Sequence, residues 1–169
     1  SRGVSIRTLT VLFGKEIVER TRSIRYLGVS FDRSLAFMEH IDSVLLKARR
    51  GQAAMKVMAA ADCSQRNLVL LYQGLVLSVI EYALAILTLS RTQSERLERI
   101  QNEAMRIILG CTKDTECRAM RYLLDLPTIE DRIKLSRAKA YLRISADKQH
   151  PLHGEIGSVK GSRLDRKSV

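Results

Sequence analysis

The residues best suited to nucleophilic or metal chemistry are three cysteines, Cys63, Cys111 and Cys117, and three histidines, His40, His150 and His153. The cysteines form no C-x2-C pair, and an odd count of this kind predicts reduced thiols in an intracellular protein. His150 and His153 make an H-x2-H in a Pro-containing stretch. A tetrahedral zinc site needs a second ligand pair, and none lies at ordinary spacing. Two-metal phosphoryl chemistry wants carboxylates converging on ions about 3.5–4 Å apart. The adjacent acids Glu130-Asp131 stand where a helix should begin, and the helix dipole accounts for them without metal. His40 falls near another helix start, where capping or packing is its expected task. No Ser/His/Asp or Cys/His grouping and no Gly-rich phosphate loop is present. The chain offers groups for binding rather than for making bonds.

Those groups are cations. Net charge is +11 over 169 residues, with a pI of about 10.0. Such a balance points to an anionic partner, nucleic acid first and an anionic membrane surface second. The charge is uneven: both ends are basic and the middle, Asp62–Pro127, is neutral. A buried centre with basic flanks would give this pattern; so would basic ends that merely aid solubility. Lys47, Arg49 and Arg50 form the tightest basic cluster before the neutral middle.

The elements that must position these residues change type once along the chain. Thr8–Phe13 and Glu16–Arg20 flank Gly14-Lys15 and predict a hairpin with a two-residue turn. Ser23–Asp32, "SIRYLGVSFD", reads as a third strand with Gly28 in its interior, marking a bulge or a close backbone approach. On that strand Leu27, Val29 and Phe31 would share an inward face, and Tyr26, Gly28 and Ser30 the other. From Ser34 onward the period is helical. Phe37, Ile41, Val44, Ala48, Met55 and Met58 form one stripe, with Gly51 beside it as a close crossing or a kink.

Ser64 is the expected cap of the next helix. Leu68–Leu89 then runs 22 residues with one charge, Glu81. A membrane span is conceivable at that length, but a charge in mid-span costs about 2.5–3.5 kcal/mol. A helix apolar all round also suits the centre of a bundle, so no membrane is expected. Thr92-Gln93-Ser94-Glu95 reads as a capping box opening a helix with Leu97, Ile100, Ala104, Ile107 and Ile108 inward. Glu95 and Arg99 would pair on its outer side, and Gly110 would end it. A short helix over about Thr115–Asp125 turns Met120, Leu123 and Leu124 inward, and Pro127 breaks it. Thr128 caps a last, basic helix, with Asp131 in the box position and Ile129, Ile133, Ala140 and Ile144 inward.

The expected architecture is mostly α: a helical bundle preceded by a small antiparallel β element of two to three strands. The boundaries read as 1–33 for the β element, 34–146 for the helical domain, and 147–169 for a flexible basic tail or linker. The chain opens on Ser1 rather than Met, which predicts a piece of something longer.

Four landmarks occur in order: "IRYLGVSFDRSLAFMEHID" (Ile24–Asp42), "LYQGLVLSVIEYALAIL" (Leu71–Leu87), "LERIQNEAMRIILG" (Leu97–Gly110) and "RAMRYLLDLPTIEDRI" (Arg118–Ile133). The series resembles the region just after the catalytic palm in reverse transcriptases of non-LTR retrotransposons, jockey-like and type-1 insect retrotransposable elements among them. The resemblance covers roughly Arg2 to Ile144.

It implies that Tyr26, Leu27, Gly28 and Val29 belong to a primer-grip hairpin beside the primer's end, and that the helices form a thumb tracking the template–primer duplex. Gly28 would admit the primer backbone, with Leu27 and Val29 anchored in the core. Lys47, Arg49 and Arg50 are then the first candidates for nucleic-acid contact, with Arg25 and Tyr26 next. The implied partners are an RNA–DNA or DNA duplex and the palm of the parent polypeptide, in an intracellular, nuclear setting. The family's Phe/Tyr-Ala-Asp-Asp run does not occur in these residues. No cofactor is therefore expected in this chain, since magnesium would be bound by that palm, and the chain should not polymerise alone. The rival expectation is a helical module that binds protein instead of nucleic acid.

Overall fold

A computed structural model describes residues 11–18 and 21–155. Strands β1 (Val11–Phe13) and β2 (Glu16–Val18) pair antiparallel around Gly14-Lys15. Gly14 takes φ 63°, the left-handed conformation that such a turn demands and glycine adopts freely. The outer parts of the predicted strands, 8–10 and 19–20, lie outside the described residues.

The stretch expected as a third strand is instead a second hairpin. Strand β3 (Ser23–Tyr26) pairs with β4 (Val29–Asp32), Tyr26 opposite Val29 and Ile24 opposite Phe31. Leu27 and Gly28 are the two turn residues, with φ 45° and 80°. Two consecutive positive φ values define the tight turn whose twist matches its strands. The turn resets the alternation, so the predicted inward face does not exist as one face. Val29 is buried, but Leu27 at the tip is 73% exposed.

Asp32 ends the hairpin. Its Oδ1 accepts from Ser34 N and Ala36 N, both at 3.0 Å, and from Ser34 Oγ at 2.7 Å. These bonds lower the carboxyl pKa, the Ser34 hydroxyl most. They also hold Ser34 outside the helix, so α1 runs Met38–Ala60 rather than from Ser34. Phe37 caps it in a left-handed conformation and packs edge-on against Phe31, with ring centroids 5.7 Å apart.

The stripe of α1 is buried as expected through Ile41, Val44, Ala48 and Met55, while Met58 is exposed. Gly51 marks a close crossing. A Cβ there would stand 2.8 Å from Leu75 O and 3.0 Å from Val76 Cγ2.

The apolar run is helical only in its first part. Ser64 caps α2 (Gln65–Leu71) by accepting from Asn67 N. A π-helical turn follows over Tyr72–Leu77, then α3 (Ser78–Glu81). Residues 82–86 are turns. The single charge of the run is paired: Glu81 meets Arg132 at 2.5 Å. No helix among the described residues is long and apolar enough to cross a membrane.

Helix α4 (Arg91–Leu109) starts earlier than the Thr92 box predicts. Ser90 accepts from Gln93 N, and Gln93 Oε1 accepts from Ser90 N at 2.8 Å. Glutamine serves as the box partner, which frees Glu95 to pair with Arg91 at 3.0 Å instead of Arg99. Gly110 ends the helix at φ 65°. Helix α5 (Cys117–Leu124) buries Met120 but leaves Leu123 exposed. Thr128 caps α6 (Ile129–Ala146), accepting from Asp131 N as expected. Ile129 and Ile133 are buried, and Ala140 and Ile144 partly so. Residues 147–155 run in turns, and the rest of the expected tail lies outside the described residues.

The core gathers α1, the α2–α3 segment, α4 and the start of α6, with Val29 reaching in from β4. A buried polar chain crosses it: Tyr72 Oη donates to Gln101 Oε1 at 2.9 Å, and Gln101 Nε2 donates to Pro127 O at 2.8 Å. Burial raises the pKa of Tyr72, so the hydroxyl stays a donor. The fold is mostly helical with a small antiparallel β element before it.

Candidate nucleic-acid interface

Besides the packing of Val29 and Phe31, two hydrogen bonds fix the second hairpin to the helical part. Its tip is held by Tyr82, whose hydroxyl donates to Leu27 O at 2.6 Å. Its return strand is held by His40 on α1, whose Nδ1 accepts from Ser30 N at 3.4 Å. Between these ties lies a cleft of about 280 Å³ lined by Arg25, Gly28, His40, Val44, Lys47, Ser78, Val79 and Tyr82.

Helix geometry explains the α1 share. His40, Val44 and Lys47 are spaced i, i+4, i+7 and fall on one side of a 3.6-residue spiral. Val44 is buried and His40 is 5% exposed, while Lys47 stands free at the rim. Arg49 is two residues on, roughly 200° around the axis, and Arg50 lies between them on the side away from the core.

The cleft thus brings together three of the six candidates: Arg25, Gly28 and Lys47. Tyr26 is exposed on β3, and Arg49 and Arg50 are exposed on α1, all three outside the cleft wall. Gly28 is needed for the turn, and a side chain there would make ordinary contact with the Tyr82 ring. A Cβ there would meet Tyr82 Cε1 at 3.4 Å.

Sequence reasoning missed His40, Ser78 and Tyr82 as site residues. The His40–Val44–Lys47 spacing could have revealed the first. Ser78 and Tyr82 were hidden inside an apolar run that reads as core.

The cleft is cationic. No carboxylate lines it. Burial, then Lys47 and Arg25, hold the pKa of His40 below its ordinary value, so the ring is neutral at pH 7. Among the described residues neither Arg25, Lys47, Arg49 nor Arg50 pairs with a carboxylate. Several cations of α6 are engaged within the chain. Arg132 pairs with Glu81, Lys134 with Glu130, and Arg137 donates to Leu87 O at 3.0 Å. A larger hollow of about 580 Å³ at the start of α4 and α6 is lined by Glu95, Glu98 and Glu130 as well as Arg91 and Arg121. Its carboxylates make it a poor seat for a polyanion.

No cluster of three metal-ligating side chains occurs among the described residues. His150 Nδ1 accepts from Leu152 N, which holds a local turn, and His153 Nδ1 lies 3.2 Å from Ile144 O, which ties the turns back to the end of α6.

No family model matches the chain, and no solved structure matches it. Two curated proteins do. Over 149 residues, 83% of this chain, it is 30% identical to the RNA-directed DNA polymerase from mobile element jockey of Drosophila funebris. Over 165 residues, 95% of the chain, it is 24% identical to the probable RNA-directed DNA polymerase from transposon X-element of Drosophila melanogaster. The chain spans only 15% and 18% of the length of these relatives. By this relationship the chain belongs with the RNA-directed DNA polymerases of non-LTR retrotransposons, as one part of such a protein.

Proposed function

We propose that this region grips a template–primer duplex through its phosphates and presents the primer end to a catalytic palm elsewhere in the parent polypeptide. The observation that supports it most is the meeting of Arg25, Gly28 and Lys47 around one carboxylate-free cleft. These residues come from a hairpin and a helix that are far apart in fold type. They meet at the segment whose resemblance is to a primer grip. Arg50 on the open side of α1 extends the positive surface around the helix, and Arg49 lies beyond it on the other flank. Cations on such a surface neutralise phosphates without reading sequence. This region supplies the grip; magnesium belongs to the palm, and the setting is nuclear.

A charge reversal tests this. Lys47→Glu with Arg50→Glu should weaken binding of an RNA–DNA hybrid by about tenfold or more at low salt, since each change removes one favourable phosphate contact and adds a repulsive one. Unchanged affinity would contradict the reading.

One observation favours protein binding as a second reading. Tyr122 is 87% exposed, Leu123 69% and Leu142 64%, a concentration of apolar side chains on α5 and α6. Under that reading the same double reversal leaves hybrid binding untouched.

A further inference from the structure

We propose that the cleft between the second hairpin and α1 seats a single backbone phosphate, and that His40 is its central donor, giving a hydrogen bond from Nε2 between the flanking cations Arg25 and Lys47. The proposal rests on the duplex reading above and narrows it to one seat and one ring nitrogen.

His40 Nδ1 accepts from Ser30 N. A neutral imidazole with an accepting Nδ1 carries its hydrogen on Nε2. Nε2 has no partner among the described residues. A donor on a side chain only 5% exposed ordinarily finds one. The atom is not sealed in the core either, since the fully enclosed unpaired atoms are all elsewhere, on Arg106, Arg121, Arg132 and Ser145. His40 therefore carries an unanswered N–H that is not fully enclosed, on a ring that lines a cleft whose other polar lining is Arg25, Lys47, Ser78 and Tyr82. Ser78 Oγ is occupied with Gly74 O at 2.6 Å and Tyr82 Oη with Leu27 O. What remains is one neutral N–H and two cations around a space of about 280 Å³. That is slightly below the range of drug-sized pockets and ample for a phosphodiester group at the edge of a backbone, which the two cations and the N–H favour.

The seat has a consequence for protons. In the free protein burial, Lys47 and Arg25 all disfavour the imidazolium, and no carboxylate from β3, β4, α1 or α3 lines the cleft to oppose them. A phosphate in the seat reverses the local field and favours the second proton. Binding then takes up part of a proton, and affinity rises as pH falls. Phosphodiesters keep a fixed charge across this range, so the pH dependence belongs to the protein.

The test uses the 169-residue chain in two parallel measurements. In the first, the imidazole signals of His40 are titrated by NMR with and without dimethyl phosphate, a phosphodiester anion. The titration midpoint should move upward with the anion present. In the second, binding of an RNA–DNA hybrid is measured at pH 8 and pH 6 for the wild type, His40→Gln and His40→Leu. Wild-type affinity should rise by about three- to tenfold on acidification, within the roughly tenfold per pH unit that one proton allows. His40→Gln keeps a neutral donor near Nε2. It should match the wild type at pH 8 and lose the rise. His40→Leu should bind less at both.

An unmoved midpoint, or a His40→Gln profile parallel to the wild type, overturns the phosphate seat while leaving duplex binding intact. A shifted midpoint in a chain that ignores the hybrid leaves the seat standing and removes the duplex reading. The NMR arm needs no variant, so a misfolded His40→Leu decides nothing by itself.

Discussion

At the scale of residues, the cations of the candidate interface differ by angle around α1 and not by type. Lys47 lines the cleft, and Arg49 lies on the other flank. Singly reversed, Lys47→Glu should weaken hybrid binding more than Arg49→Glu and should lower the slope of log K against log salt by about one; equal effects would contradict the assignment of the cleft.

His40 carries a stability prediction of its own. Its folded-state pKa lies below the ordinary 6.5, chiefly through burial. A depressed pKa means that the neutral ring's contribution is fully present above that ordinary value and is lost as pH falls through the folded-state one. Thermal melts should therefore drop between pH 7 and pH 5, and His40→Gln should flatten that drop. A flat wild-type profile would show that the ring is not held neutral by its surroundings.

Arg25, Gly28 and Lys47 stand out in the sequence by charge, by a glycine among apolar neighbours and by family pattern, and the structure sets them around one cleft. Tyr82 does not stand out, because its role is a single bond from its hydroxyl to the Leu27 carbonyl, across a long stretch of chain. Nothing local in "IEYALA" announces that contact.

At the scale of elements, the sequence and the structure part at "YLGVSF". Alternation of apolar residues predicts one strand; positive φ at Leu27 and Gly28 makes it two. Leucine is a poor resident of the left-handed region, which is why the turn was hard to read: only its second residue is a turn former. Gly28→Ala should cost roughly 1 kcal/mol through backbone strain alone, and thermal denaturation would measure it. Tyr82→Phe should loosen the hairpin tip with a small loss of about 0.5–1.5 kcal/mol, seen as faster amide exchange in β3 and β4.

The crossing at Gly51 is stricter. A methyl group would stand 2.8 Å from the Leu75 carbonyl, part of the backbone of the π-helical turn. Gly51→Ala should destabilise by about 1–3 kcal/mol, in spite of alanine's better helix propensity. A neutral or stabilising outcome would mean that α1 and the π-helical turn can separate freely. The cap of α4 shows a further limit of pattern reading. Two capping boxes overlap in "SRTQSE", and Ser90 wins because Gln93 also donates from Nε2 to Ala36 O at 2.8 Å, tying the helix start to the loop before α1. That second bond is tertiary and leaves no local trace.

At the scale of the whole molecule, the distribution of charge was legible and its arrangement only partly so. The neutral middle supplies a large part of the core, which α1, the start of α6 and Val29 complete. The basic α6, which has the largest net positive charge of any helix among the described residues, engages Arg132, Lys134 and Arg137 in contacts with its own protein. Counting cations cannot separate those that hold a fold together from those left facing water; only geometry does. Under the duplex reading the second hairpin, α1 and the end of α3 act as one rigid wall, tied by His40 from α1 and by Tyr82 just after α3, against which a backbone can lie.

The most direct measurement is the affinity of the chain for a labelled RNA–DNA hybrid across a salt series. Contact with phosphates predicts tight binding in dilute buffer and a fall in log K of about 0.9 per neutralised phosphate for each tenfold rise in salt. Hybrid affinity that is absent in dilute buffer, or that stays level as salt increases, would contradict the account.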